Sequence, residues 1–199
     1  MADDKRSREK QARDEDRRQR ERDVEAAVER AAEPEPPVPP AALDDLEAEL
    51  ESLEFPATGA EVVASGGDIE LESSDGRFTI DELVPASDEE TFDSPAAVRV
   101  QVERPTVAAA MKRVVEASET LRNVDLSHSQ RTAYERTFEE LEGIDADDDD
   151  EGIRVVCDWI VERIDEKGRL PSSRDVRREA AAFCRANGYE VRSDEWLGV

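Results

Sequence analysis

The chain has 199 residues, a mass of 22.2 kDa and a formal net charge of −25, from 27 Lys and Arg against 52 Asp and Glu. Charged residues make up 40% and aromatics 5%, so any core is lean and largely aliphatic. No run reaches the roughly 18 apolar residues of a membrane span, the charged N-terminus has no apolar signal core, and 2 cysteines with 1 histidine exclude a disulfide scaffold.

Residues 1–33 carry 10 basic and 11 acidic side chains, interleaved, with almost nothing apolar before Val24. Such mixed-sign spacing supports i,i+4 pairs and a solvated, lone helix with frayed ends, or a disordered arm. The arginines of this leader have their field cancelled by neighbouring acids, which favours a solubilising arm over a nucleic-acid contact. Residues 34–40, Pro-Glu-Pro-Pro-Val-Pro-Pro, form an extended linker that no helix crosses.

Residues 41–105 form the second unit, a small α+β domain. Leu43, Leu46, Leu50 and Leu53 lie on one face of a helix whose other faces are acidic. That leucine face is a candidate for docking or for a homo-oligomer seam. Phe55-Pro56 ends the helix, and Thr58 with Glu61 makes a capping box for a short helix carrying Val62 and Val63. Gly66-Gly67 breaks the chain. Ile69 and Leu71, then Ser74-Asp75-Gly76, then Phe78 and Ile80 predict a β-hairpin. Ser94-Pro95 gives an N-cap and a proline at the first helical position, and the helix that follows carries Val98 and Val102 up to Pro105.

Residues 106–199 read as a helical domain. Val107, Ala110, Met111, Val114, Val115 and Leu121 make one stripe; Tyr134, Phe138 and Leu141 make a second after Ser127-His128-Ser129. Past the acidic run Asp145–Glu151, a third stripe of Ile153, Val156, Cys157, Ile160 and Ile164 ends at Lys167-Gly168. A fourth helix starts at Leu170-Pro171-Ser172 and stops at Gly188; Tyr189 to Arg192 is expected as a short strand and Trp196-Leu197 as an apolar plug. The fold class is therefore α+β, predominantly helical, with a helix–turn–helix-like end.

The acids divide into 22 Asp and 30 Glu, the bases into 23 Arg and only 4 Lys. Abundant carboxylates with scarce lysine suit molar salt, where the Debye length of about 3 Å screens self-repulsion. The rival reading is an ordinary acidic protein with a disordered tail, but here the acids run through every element. The halophilic reading predicts that helical circular dichroism is lost when salt falls from molar to about 0.1 M.

The leader Met1-Ala2-Asp3-Asp4-Lys5-Arg6, Gln11-Ala12-Arg13-Asp14 and Arg17-Arg18-Gln19-Arg20-Glu21-Arg22, the acidic Leu helix, Phe55-Pro56-Ala57-Thr58, the hairpin, and Glu90-Thr91-Phe92-Asp93-Ser94-Pro95 before Val98 together resemble a domain-of-unknown-function family of haloarchaea. The resemblance covers about residues 1–105. It implies a cytoplasmic protein of a halophilic archaeon and brings no catalytic residues. Residues 106–199 extend beyond the family's short pattern.

Few residues suggest chemistry. Asp145, Asp147 and Asp149 have the spacing of a calcium loop, but Asp150 stands where the turn glycine belongs and Val156 where the bidentate glutamate belongs, so a hydrated linker is expected. Cys157 falls in an apolar stripe, and neither it nor Cys184 has a second ligand nearby. His128 sits between serines at a helix start, and Gly66-Gly67 is no phosphate loop. No cofactor and no enzymatic activity are therefore expected. The fourth helix stands apart. At about 100° per residue, Arg174, Arg177, Arg178 and Arg185 share one arc opposite Val176, Ala180 and Phe183. Residues 153–199 balance 9 basic with 9 acidic side chains, against 18 and 43 in residues 1–152. The expected function is a non-enzymatic interaction module that presents these four arginines to a protein partner. The alternatives are a DNA- or RNA-binding regulator using the same helix, a merely solvated face, and an enzyme, which has the least support.

Overall fold

The computed structural model describes residues 36–121, 126–144, 147 and 150–189. Among them the order is α1 (Pro40–Leu50), β1 (Ala57–Thr58), α2 (Gly59–Gly66), β2 (Glu70–Ser73), β3 (Gly76–Thr79), α3 (Ile80–Leu83), β4 (Thr91–Phe92), α4 (Pro95–Val102), α5 (Pro105–Glu119), α6 (His128–Glu142), α7 (Glu151–Lys167) and α8 (Ser173–Asn187). The fold is predominantly helical α+β. The leader expected at residues 1–33, the strand expected at 190–192 and the Trp196-Leu197 plug lie outside the described residues.

Local chemistry accounts for most boundaries. The Thr58 hydroxyl accepts the Glu61 N–H at 3.2 Å, and the Glu61 carboxylate accepts the Thr58 N–H at 2.8 Å, so α2 opens on a reciprocal capping box. Ser94, Ser127 and Ser172 cap α4, α6 and α8 by the hydroxyl alone, each accepting from a backbone N–H three residues on. Gly168 and Gly188 end α7 and α8 at φ values of 60° and 72°, in the left-handed region that glycine enters without strain. The hairpin pairs Leu71 with Phe78 across antiparallel β2 and β3. A second ladder joins Ala57–Thr58 to Thr91–Phe92, and the Phe55–Pro56 peptide before it is cis.

Two apolar clusters share one helix. The first gathers Leu43, Leu46, Leu50, Val62, Leu71 and Phe92, among others, and takes in Ala108 of α5. The second gathers α5 residues Val107, Met111 and Val114 with Tyr134, Phe138, Ile153, Ile160 and Phe183 from α6, α7 and α8. Opposite sides of α5 thus serve different cores. Polar ties reinforce the junction. Arg131 of α6 donates to Gln101 of α4 at 2.8 Å and pairs with Glu90, and Arg104 pairs with Glu142.

Two expectations need correction. The leucine face is not a seam between chains, because Leu43, Leu46 and Leu50 are 3%, 1% and 1% exposed. The helix buries that stripe against α4, α2 and β2 of its own chain, which already removes it from water. The proline-rich stretch is not wholly a free linker. Val38 is buried in the first core, and the Pro37 carbonyl accepts the Ser74 N–H at 3.1 Å, so its end is sewn to the hairpin turn.

A basic face on the last helix pair

The amphipathic pattern of α8 is obeyed. Val176, Ala180, Ala181, Phe183 and Cys184 are buried, which turns the arginine arc outward. Arg174, Arg178 and Arg185 are exposed. Arg178 reaches Asp175 only at 4.0 Å, with side-chain exposures of 66% and 51%, a contact worth little against water. Arg177 is half-buried, and its Nε donates to the Ser173 carbonyl one turn back at 3.3 Å. The four arginines therefore do not act as one uniform row: three face solvent and one lies along its helix.

A groove of about 350 Å³ lies where α7, the 168–172 connection and α8 meet. Trp159, Arg163 and Lys167, four residues apart, come from one face of α7; Arg169 and Pro171 come from the connection; Arg178 comes from α8. The Arg163 guanidinium carbon lies 5.2 Å from the centroid of the Trp159 ring, a cation–π contact. Asp175 and Glu179 complete the wall. The Ser172 hydroxyl, and after it Arg178 and Arg169, hold the Asp175 carboxyl below the usual carboxylate range. Among the described residues Arg163, Lys167, Arg169, Arg174 and Arg185 make no ion pair. Of the four expected arginines only Arg178 lines the groove; Trp159, Arg163, Lys167 and Arg169 were not singled out in the sequence. Their signal is the i, i+4, i+8 spacing on α7, hidden because Trp159 also fits the apolar stripe.

The other candidates take structural roles. Asp147 is 7% exposed; its Oδ1 accepts the Glu151 N–H at 3.1 Å and its Oδ2 accepts the Gly152 N–H at 2.8 Å. The acidic run thus supplies the carboxylate that satisfies the first turn of α7. A Cβ on Gly152 would stand 2.8 Å from the Phe183 ring and 3.0 Å from that same carboxylate, so glycine lets α8 close over the cap. Cys157 is buried, its Sγ donates to the Ala110 carbonyl at 3.5 Å, and burial pushes its thiol up to about 11. Burial also raises Cys184. His128 is exposed at the first turn of α6. Among the described residues no group of three or more His, Cys, Asp and Glu is placed to hold a metal ion, and no helix is long and apolar enough to cross a membrane.

No curated protein and no solved structure matches the chain. The resemblance read from the sequence is supported in kind but shifted in extent: the leader lies outside the matched segment, which runs on into α5. Residues 40–114, from the start of α1 through most of α5, match a family described as being of unknown function (DUF5789).

Proposed function

We propose that the protein is a non-enzymatic interaction module that engages an acidic protein partner through the α7–α8 face, in the salt-rich cytoplasm that its Lys-poor, acidic composition fits. One observation carries this reading. In a chain with 25 surplus negative charges, five cations between Arg163 and Arg185 make no ion pair among the described residues. Local charge of the opposite sign to the whole molecule is what an anionic partner recognises.

Capture on the immobilised protein at native salt, with and without nuclease, tests the reading. An acidic protein that stays after nuclease treatment and is lost in an Arg174→Glu, Arg178→Glu, Arg185→Glu variant supports it. Retention of the same partner by that variant overturns it. The second reading is a DNA- or RNA-binding regulator, favoured by the outward set of Arg174, Arg178 and Arg185 on one helix. That reading predicts nuclease-sensitive capture.

A further inference from the structure

We infer that the groove between α7 and α8 is an anchor pocket for one large apolar side chain of the partner, in a segment whose flanking residues are carboxylates; this rests on the acidic-partner reading above. Trp159 of α7 and Pro171 of the connection, both half-buried, supply the apolar part of the lining. The rim is cationic, with Lys167, Arg169 and Arg178 exposed around it. A volume of about 350 Å³ accepts one side chain and its backbone, being at the low end of the roughly 300–1,000 Å³ of ligand pockets.

Charge complementarity selects the flanking residues, and the wall tells against a nucleic acid. A stacked base needs an open ring face, yet the Arg163 guanidinium lies over Trp159. Asp175 and Glu179 also place two carboxylates in the groove lining. A peptide that enters by an uncharged side chain, beside the ring, keeps its own carboxylates out at the cationic rim, whereas a nucleic acid carries a charge at every phosphate. Physics also requires the anchor. The whole chain, at −25, repels an acidic partner at range in dilute buffer. In concentrated salt that repulsion is screened, but so is the attraction of the rim. Apolar contact is the part of the interaction that salt does not weaken.

The test uses the full chain with Trp196→Phe, which leaves Trp159 as the sole tryptophan of the original 2. Two synthetic glutamate-rich peptides of equal length and charge are titrated, one with a central Leu and one with a central Ser. Binding is followed by Trp159 fluorescence and calorimetry at the lowest salt that retains the helical circular dichroism and in molar salt. The Leu peptide is expected to bind about tenfold tighter, to shift the Trp159 emission, and to keep that advantage in molar salt. An Arg169→Ser, Arg178→Ser variant, changed only at exposed positions, is expected to weaken both peptides by the same factor. Equal binding of the two peptides overturns the anchor pocket while leaving the acidic-partner reading intact. Binding of neither peptide, with retention of a single-stranded oligonucleotide, overturns both.

Discussion

Between residues 36 and 104 the chain has three basic side chains, Arg77, Arg99 and Arg104, and each is tied to acids. Arg77 joins Glu72 across the hairpin at 3.0 Å, and Arg99 of α4 holds Asp44 and Glu47 of α1 at 2.6 and 3.1 Å. From Arg163 to Arg185 there are seven, five of them without an ion pair among the described residues. Acids are scarcer there, 4 from residue 163 to 185 against 18 from residue 36 to 104, yet Glu162, Asp165, Glu166 and Glu179 still sit nearby in sequence. Supply and placement both differ. In the first region each cation meets a carboxylate on a neighbouring element; on the last helix pair Arg163, Lys167, Arg169 and Arg178 share one groove with Asp175 and Glu179, and among the described residues only Arg178 comes within 4.0 Å of a carboxylate there. A surplus of carboxylates therefore does not by itself neutralise a basic face.

Removing a cation from each region is the direct way to break this contrast. Arg104→Ala is expected to cost about 3 kcal/mol in urea unfolding, because it leaves the buried Glu142 carboxylate without its partner. Burial already raises the Glu142 pKa above the carboxylate range, against the opposing pull of Arg104. The folded state therefore binds its proton more tightly than the unfolded state does, and falling pH through that window adds stability. The Arg104→Ala deficit should accordingly shrink between pH 7 and pH 5; a deficit that grows on acidification breaks the assignment.

Asp147→Ala is expected to cost about 1–2 kcal/mol by uncapping α7, and through α7 to loosen the groove wall. Thr58→Ala, which opens the capping box of α2 in the other region, should cost about 1 kcal/mol and leave binding at the α7–α8 face unchanged. Smallest of all, Arg169→Ala and Arg174→Ala should each move stability by less than about 0.5 kcal/mol while weakening capture of an acidic partner. A large thermal destabilisation from either variant would mean that these side chains hold the fold together.

Sequence legibility followed the range of the interaction. The caps at Thr58, Ser94, Ser127 and Ser172 act within four residues, so their signals sit beside the helices they open. The stripes of α5 to α8 were equally plain, since Ile153, Val156, Cys157, Ile160 and Ile164 are all buried as their spacing requires. Longer-range choices were not visible. Nothing local in Ala57-Thr58 says that it pairs with Thr91-Phe92. Nothing in the leucine stripe says whether its cover comes from the same chain or from another. Asp147 read as one acid of a run, because its role depends on where α7 begins. The groove required α7 and α8 to be placed together before Trp159, Arg163 and Arg178 became neighbours. The Thr79–Glu82 pair has the same short range as the caps: the Thr79 N–H donates to Glu82 at 2.9 Å and opens α3.

The helix Pro105–Glu119 lends one side to each core, and the segment resembling the family of unknown function reaches to residue 114. Cutting the gene at the loop before it would hand both products an uncovered oily flank. The last three helices are thus an annex built against a wall that the first core also uses. Whoever wishes to study the annex alone must carry that wall along with it.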